Sequence, residues 1–409
     1  MSSTISTSSI ADITFSFEWD SATGHHTEVY EAHGVDFWRD LLPEAMRDAM
    51  LGQSPGGSIS VNARNNGIFP EDNLDQRFRI MRRQFRESVR GTVVRPRIGR
   101  YYPRGLLKDL PGIYPQNVIP FRMIDIRNGS LHVDFNHPMA GKTIHLNATI
   151  RAVKEKTVER GGTMRDWSEI LGTGPGMQGR WQDRPTDYFS GHPFDRQDTA
   201  PDAAFYAKPR LVQHLDATAR SQVANLYSRL VPSSASVLDL MSSWVSHLPE
   251  DLHTENLVGL GMNAEELDEN GRLTERLVHD LNRDPSLPFT ADSFDAVICT
   301  VSVEYLTRPL EVFDELARVL RPGGIAIMTF SNRWFPPKAV RIWTELHEFE
   351  RMGLVMEYFN RTGQFVDIET SSLRGMPRPY DDKYFHEMPS ADPVYAVWGR
   401  KNDPGKSIH

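Results

Sequence analysis

The strongest constraint on the fold is an alternation of helical segments and short apolar runs from Phe205 onward. Apolar residues recur at helical spacing in 219–231 and 310–320. Apolar runs that suit buried strands lie at 236–241, 257–261, 294–302, 325–332, 365–370 and 393–401. Because consecutive parallel strands need a crossover helix, this succession predicts an α/β domain with a doubly wound, mostly parallel sheet.

A ligand of such a sheet binds where the strands end at the switch in strand order. Four segments would meet there, and each places small or polar residues after an apolar run: 237–249, 257–267, 278–298 and 299–309. The sequence therefore predicts one binding crevice at the carboxyl edge of the sheet.

These four segments, in this order, resemble the class I S-adenosylmethionine-dependent methyltransferases, in the type 11-like group that acts on small molecules. The resemblance covers 205–401 and is most specific in the run LPFTADSFDAVICTVSVEYLTRPLEVFDELARVLRPGGIAIMTFSN. It implies a Rossmann-like domain with S-adenosyl-L-methionine as cofactor and a small-molecule methyl acceptor as partner.

The resemblance also implies which residues hold the cofactor. Asp239 would orient its amino-acid end, and Asp280 with Leu281 would hold the adenine. The whole implied set is Asp239, Leu240, Met241, Ser242, Ser243, Gly261, Met262, Asn263, Asp280, Leu281, Thr300 and Val301.

Two features depart from the family pattern. The usual glycine loop is replaced by Met-Ser-Ser-Trp-Val-Ser, so Met241 and Trp244 must point away or form part of the pocket wall. Gly261 stands where an acidic residue would hold both ribose hydroxyls, and Asn263 is the candidate for contacting one of them. A domain that has lost its cofactor is the alternative that these departures leave open.

Methyl transfer requires mainly in-line positioning of the acceptor and exclusion of water. The candidate catalytic residues are Tyr305, Glu304, His214 and Tyr206. The last two lie in 205–219, which is either a lid or an ordinary amphipathic helix. Asn332, Arg333 and Trp334 are candidates for shaping the acceptor site; the alternative is that Trp334 and Phe335 are core aromatics.

None of these residues stands out as a dedicated base, which favours an acceptor that ionises easily. A small thiol such as hydrogen sulfide or methanethiol fits that requirement. The lone cysteine, Cys299, lies in an apolar strand without an adjacent base, so we expect it to be buried. No metal site is expected.

The N-terminal half has a different pattern, with alternating or aromatic-rich stretches broken by Gly and Pro. Such stretches lie at 13–19, 58–61, 121–126, 131–135 and 143–153. One helical segment lies at 43–52. The pattern predicts an antiparallel, β-rich α+β domain.

Within this half, the run Asp134, Asn136, His137, Pro138, Ala140, Gly141 and Lys142 resembles SlyD-like peptidyl-prolyl isomerases of the FKBP type. In that family an aromatic pocket surrounds the prolyl bond. Here Trp19 stands in place of a Tyr and Leu146 in place of a Phe, and the Gly-Tyr-Gly segment is replaced by 67–85. We therefore expect a modified domain with a structural or acceptor-gating role.

The predicted domains are 11–155 (SlyD/FKBP-like), 156–204 (a Gly-rich linker or lid) and 205–401 (methyltransferase). A formal charge of −8 argues against a nucleic-acid partner, and the basic run 77–105 is interpreted as a solvated arm or a surface for an acidic face. No apolar run is long enough to span a membrane, and no secretory signal is visible, so a cytoplasmic protein is expected.

The leading hypothesis is thus a methyltransferase supported by a modified FKBP-like module. The alternative is an FKBP-type prolyl isomerase or chaperone that carries a degenerate methyltransferase fold.

Overall fold

The computed structural model describes residues 4–62, 69–89, 92–155 and 162–405. They form two compact units. The N-terminal unit comprises Met1–Thr23, Ala32–Gly191 and Leu346–Leu354, and the C-terminal unit comprises Gly24–Glu31, His192–Glu345 and Val355–His409, as far as these ranges are described. The sequence analysis did not predict that Gly24–Glu31 would belong to the C-terminal unit and Leu346–Leu354 to the N-terminal unit. The boundaries 11–155, 156–204 and 205–401 stay predictions.

The N-terminal half is rich in strands, as predicted. The strands are β1 (Ser9–Ser21), β2 (Gly24–Asp36), β3 (Ser58–Asn62), β4 (Arg77–Met81), β5 (Ser88–Val89), β6 (Thr92–Val93), β7 (Tyr101–Pro103), β8 (Pro120–Arg127), β9 (Ser130–Asp134) and β10 (Ile144–Glu155). The helices are α1 (Glu44–Met50), within the predicted 43–52, and α2 (Trp167–Gly172), which was not predicted.

The strands of the N-terminal unit pair in antiparallel fashion. β10 lies between β1 and β3, with Phe17 opposite Leu146 and Trp19 opposite Ile144. Every second residue of β1 is buried, since successive side chains of a strand point to opposite faces. A second sheet has the order β4-β9-β8-β7 and packs its own apolar core. The antiparallel, β-rich prediction is confirmed.

The stretch predicted as a linker or lid differs from that expectation. Residues 156–161 lie outside the described part of the chain, but Gly174–Gly179 are all buried in the N-terminal unit. A Cβ on Gly176 would come within 2.6 Å of the Pro138 carbonyl oxygen, and one on Gly179 within 3.3 Å of the Trp19 ring. The glycines therefore serve close packing rather than flexibility.

The C-terminal unit contains most of the helices and a second set of strands. The strands are β11 (Ala235–Leu240), β12 (Thr254–Gly261), β13 (Glu275–Val278), β14 (Phe294–Thr300), β15 (Leu320–Phe330), β16 (Phe365–Arg374) and β17 (Val394–Lys401). The helices are α3 (Asp202–Phe205), α4 (Ala217–Leu230), α5 (Ala264–Glu269), α6 (Pro309–Val319), α7 (Arg341–Glu345) and α8 (Glu348–Thr362), of which α8 begins in the N-terminal unit.

These strands form a sheet in the order β13-β12-β11-β14-β15-β17-β16. β11 to β15 run parallel to one another, and β17 runs antiparallel between β15 and β16. The Rossmann-like, mostly parallel prediction is confirmed. The sequence pattern placed a strand end at Asp280, directly after β13, but it missed α8. The strand order reverses at β11 and β14, which is where such a sheet opens a crevice.

A continuous core fixes the strand ends that border this crevice. Val223, Leu226 and Tyr227 of α4 are buried in one cluster with Val237 and Ile298 of the central strands. Cys299 is fully buried, as predicted. Over the described ranges, no helix has both the length and the apolar character needed to cross a bilayer.

Candidate active site

A cavity opens at the carboxyl edge of the C-terminal sheet. Its water-accessible volume is about 130 Å³. Its walls include most of the residues predicted for the site: Tyr206, His214, Asp239, Met241, Ser242, Ser243, Gly261, Met262, Asn263, Asp280, Leu281, Thr300, Val301 and Tyr305. The structure therefore brings the four predicted segments together.

Two of the predicted residues do not line this cavity. Leu240 is 1% exposed, because its side chain packs into the sheet at the end of β11. Glu304 is also 1% exposed and lies in the tight turn Val303–Tyr305. The prediction that Glu304 is catalytic therefore needs correction: burial keeps its carboxylate from the cavity, and its charge acts on the neighbouring Tyr305 instead.

Asp239 is the most deeply buried acid in the cavity wall. Its carboxylate accepts a hydrogen bond from Ser242 Oγ at 2.6 Å and another from Ser246. Burial raises the pKa of Asp239 to about 6, although these hydrogen bonds act in the opposite direction. None of the ion pairs among the described residues includes Asp239, so its negative charge has no protein cation to balance it.

The loop after β11 adopts, without a glycine, a backbone conformation that glycine usually provides. Met241 has φ +57°, the left-handed conformation in which glycine is normally found. Trp244 donates an indole N–H hydrogen bond to the Val212 carbonyl oxygen at 3.3 Å. Both side chains form part of the cavity wall, and neither fills the cavity.

This backbone conformation predicts how Met241 tolerates substitution. We expect Met241→Val to lower the free energy of unfolding by about 1–2 kcal/mol, because a β-branched residue is strongly disfavoured at positive φ. Met241→Gly should change it by less than about 0.5 kcal/mol, since relief of strain offsets the greater entropy of the unfolded chain. Urea unfolding measures both changes.

Met262→Val is the matched control, because Met262 lines the same cavity and is not among the residues with positive φ. Equal losses for the two valine variants would contradict the prediction.

The end of β12 explains why no acidic residue follows it directly. A Cβ on Gly261 would lie 2.2 Å from the Ser242 carbonyl oxygen, so no side chain fits there. Asn263 caps α5 by accepting a hydrogen bond from Glu266 N at 3.0 Å, and it donates to the Tyr206 carbonyl oxygen at 2.8 Å. A ribose contact by Asn263 would compete with these bonds, and it stays a prediction.

Glu266 is a cavity residue that the sequence analysis missed. It is 9% exposed and accepts hydrogen bonds from Ser243 Oγ at 2.6 Å and from Arg210 N at 2.7 Å. An acid one turn into a helix that Asn263 caps was the available signal. Glu266 places a carboxylate at the same cavity wall as Gly261, the position where the family resemblance implies an acidic residue.

After β13, the Asp280 carboxylate accepts hydrogen bonds from Asn282 N at 3.0 Å and Arg283 N at 3.2 Å, both through Oδ1. These bonds fix the turn and orient the side chain, which lies at the cavity wall. Asn282, which was not predicted, donates to Asp202 Oδ2 at 2.8 Å and to the Tyr305 carbonyl oxygen at 3.0 Å.

The segment before α4 is irregular between Phe205 and Ala217, so it is not the amphipathic helix that was the alternative interpretation. Tyr206 and His214 from this segment line the cavity. Burial raises the pKa of Tyr206 above its usual value. Although His214 is exposed at the cavity mouth, partial burial of its ring lowers its pKa, so the imidazole is neutral near pH 7.

Tyr305 completes this wall. Its hydroxyl accepts a hydrogen bond from Phe335 N at 2.9 Å. Burial and the charge of Glu304 hold the pKa of Tyr305 well above its ordinary value. The phenol is therefore protonated at neutral pH and cannot act as a base there.

A second, larger cavity adjoins the first and has a water-accessible volume of about 550 Å³. The residues that line both cavities are Val212, Gln213, His214, Leu215, Val301, Tyr305 and Phe335. Asn332, Arg333 and Trp334 line the second cavity alone. Val301 has φ +42°, which is rare for a β-branched residue and marks strain at the junction.

In the N-terminal unit, the aromatic floor predicted from the SlyD resemblance is covered. Trp19 is 1% exposed and Leu146 is 2% exposed. Gly179 packs against the Trp19 ring, and Lys142 Nζ lies 4.6 Å from its centroid. A chain segment and an ammonium group thus occupy the space above the residue expected to form an apolar pocket.

Comparison with known proteins agrees with this geometry. Residues 243–328 match the family described as a methyltransferase domain. The C-terminal unit carries a methyltransferase domain. The match begins at Ser243, within the loop that has lost its glycines. The matched residues cover only part of the chain.

Two curated relatives resemble separate parts of the chain. The FKBP-type peptidyl-prolyl cis-trans isomerase SlyD of Treponema pallidum is 28% identical over 130 residues, which is 32% of this chain and 63% of that protein. The biotin biosynthesis bifunctional protein BioHC of Teredinibacter turnerae is 31% identical over 85 residues, or 21% of this chain and 13% of that protein. The chain thus spans less than two thirds of either relative. The predicted fusion of SlyD-like and methyltransferase parts is confirmed.

Among solved structures, the YcgJ protein of Bacillus subtilis aligns with 14% identity and a TM-score of 0.34. The alignment covers 45% of this chain and 99% of that one.

Proposed function

We propose that the methyltransferase domain transfers a methyl group from S-adenosylmethionine to a small acceptor, with a small thiol as the first candidate. The observation that carries this proposal is the meeting of the four strand-end segments in one cavity that opens into a second. The first cavity would hold the cofactor and the second the acceptor, with transfer at their junction.

The charges of the first cavity fit this cofactor. The buried Asp239 carboxylate has no ion-pair partner among the described residues, and Asp280 lies after the neighbouring strand. A ligand that carries an ammonium group would balance Asp239, while Asp280 would accept a hydrogen bond from an adenine amine. Glu266 lines the same cavity and would take part in ribose binding.

When bound, the cofactor supplies a methyl group already activated by a sulfonium. The residues at the junction then have three tasks. Val301 and Phe335 exclude water, Tyr305 limits where the acceptor can lie, and His214 can take a proton because its imidazole is neutral.

A thiol acceptor suits this set of groups. The acceptor sulfur would take the methyl group that the bound cofactor supplies, and the thiol proton would pass to His214 or to water. A thiol ionises nearer neutral pH than an alcohol does, so a single exposed imidazole is a sufficient base. The two phenols at the cavity, Tyr206 and Tyr305, stay protonated and would not compete for that proton.

Calorimetric titration of S-adenosylmethionine into the full chain tests the proposal. We expect binding that Asp280→Ala weakens by about tenfold or more, because the variant loses a charged hydrogen-bond acceptor. Asp251→Ala is the control, since Asp251 is exposed and lies outside the cavity. The absence of binding to the unaltered protein would overturn the proposal.

The acceptor is tested by release of S-adenosylhomocysteine in the presence of hydrogen sulfide, methanethiol, and small amines and alcohols of similar size. Turnover with thiols alone supports the thiol assignment, and turnover with an amine or alcohol replaces it. Prolyl isomerisation measured on the same preparation decides the alternative: activity there without cofactor binding would favour a folding helper.

A further inference from the structure

The N-terminal unit contains a cavity of its own, lined by residues of that unit. Its water-accessible volume is about 260 Å³. Its walls come from the strand residues Arg77, Tyr101, Arg122 and Asp134, from Asp72, and from the segments 136–138, 140–142 and 180–182. Nothing in the proposed methyl transfer uses this cavity.

Cations outnumber carboxylates in its wall. Arg77, Arg122, Lys142 and Arg180 face Asp72 and Asp134. Both carboxylates pair with Arg77: its Nε lies 3.0 Å from Asp134 Oδ2, and its Nη2 pairs with Asp72. The two acids are therefore already committed to one arginine.

Arg122 has no carboxylate among its hydrogen-bond partners. It is 7% exposed, and its hydrogen bonds go to the carbonyl oxygens of Gly99, at 2.8 Å, and Gly179. Its guanidinium also lies 4.7 Å from the centroid of the Tyr101 ring. These partners orient the side chain through two of its five N–H donors, and they carry no negative charge.

Lys142 is the second cation of this wall that forms no ion pair among the described residues. Its Nζ contacts the face of the Trp19 ring, and none of the ion pairs among the described residues includes it. Burial and the nearby charge of Arg122 lower the pKa of Lys142 to about 8, and Asp183 opposes them only weakly. Two partly desolvated positive charges at one cavity are unfavourable unless an anion joins them.

We propose that this cavity binds a small oxyanion, the carboxylate or phosphate group of a ligand, between Lys142 and Arg122. Guanidinium and ammonium groups are the donors that proteins use for such anions. An ammonium above Trp19 is unsuited to a prolyl side chain, so the SlyD-like unit has exchanged an apolar pocket for a cationic one. The proposal is independent of the methyltransferase assignment, because it concerns other residues and another ligand.

Sulfate and acetate are the probes, since sulfate represents a phosphate group and neither anion titrates between about pH 6 and 9. Calorimetry and thermal unfolding of the full chain, at constant ionic strength set with chloride, measure their binding. We expect Lys142→Met to weaken binding of the preferred anion by about tenfold or more. Lys108→Met is the control, because Lys108 is exposed and outside the cavity.

A purely structural lysine would give a different pattern. Without any oxyanion, Lys142→Met should raise the melting temperature, because it removes an uncompensated charge, and Lys142→Gln checks this if the methionine variant misfolds. Affinity for sulfate should fall as the pH rises through about 8, where Lys142 loses its proton. The groups that could modify this titration are Asp72, Arg77, Tyr101, Arg122, Asp134, His137, Arg180 and Asp183.

Preference for sulfate assigns a phosphate-bearing ligand, and preference for acetate a carboxylate. Equal binding by the unaltered protein and by both Lys142 variants, or no response to either anion beyond that to chloride, would overturn the proposal.

Discussion

Asp239→Asn should make the cofactor-free protein more stable at about pH 7.5 while weakening cofactor binding about tenfold or more. In the folded protein the pKa of Asp239 is raised to about 6 from 3.8. Between these values the folded state binds more protons than the unfolded state, so stability falls as the pH rises from about 4 to 6 and stays lower above 6. A shift of about two pKa units corresponds to about 3 kcal/mol.

The neutral amide of asparagine avoids this cost, so urea unfolding at about pH 7.5 should show a gain of about 1–3 kcal/mol. The gain should shrink near pH 4.5, where Asp239 is itself protonated. Calorimetric titration with S-adenosylmethionine measures the accompanying loss of affinity.

Asp295→Asn is the matched control from the neighbouring strand β14. Asp295 accepts a hydrogen bond from Ser236 N and pairs with Arg321 at 2.7 Å, so its pKa is lowered instead of raised. Asparagine at this position should reduce stability at about pH 7.5 and leave cofactor affinity unchanged. A gain at position 295, or a loss at position 239, would contradict the electrostatic argument.

Asp202→Ala should destabilise the protein by about 3 kcal/mol, because Asp202 holds a buried network together. Its carboxylate accepts two hydrogen bonds of 2.8 Å from Arg196 Nη1, lies 3.1 Å from Lys338 Nζ, and accepts a hydrogen bond from Asn282. Lys338 is 0% exposed, so the substitution leaves a buried ammonium with fewer partners.

The same substitution should weaken cofactor binding. Asp202 begins the short helix that precedes Tyr206, and Asn282 follows Asp280, so the carboxylate joins the segment over the cavity to the predicted adenine site. Binding measured well below the unfolding temperature separates this effect from global unfolding.

Asp198→Ala is the control for this network. Asp198 also lies 3.1 Å from Lys338 Nζ, but its side chain is 33% exposed and it does not line the cavity. We expect a loss of about 1 kcal/mol or less and unchanged affinity. Equal effects of the two alanine variants would show that Lys338, and not the bridge through Asp202, carries the stability.

Much of the site could be predicted because it depends on strand ends. Once the pattern placed Asp239, Gly261, Asp280 and Thr300 at the ends of parallel strands, the topology required them to share one edge. The exception among the catalytic candidates is Glu304, which adjoins Tyr305 in sequence but points into the packed interior. Neighbouring residues in a tight turn face different directions, and sequence spacing does not show which one faces the cavity.

The residues that the sequence did not reveal act through contacts that are distant in the chain. Glu266 joins Arg210 and Ser243, and Asn282 joins Asp202 and Tyr305. Each is an ordinary polar residue in its local context, and only the packing of separate loops makes it part of the cavity.

The sequence by itself determined the alternation of strands and helices in the second half apart from α8, its α/β class, and the antiparallel class of the first half. These features follow from periodicities of two and 3.6 residues, which depend on near neighbours alone. The tertiary structure alone decided that Gly179 packs against Trp19, that Lys142 and Arg122 share a cavity, and that Asp239 lacks a cation. Burial and charge balance are sums over residues far apart in the chain, so no local pattern could have specified them.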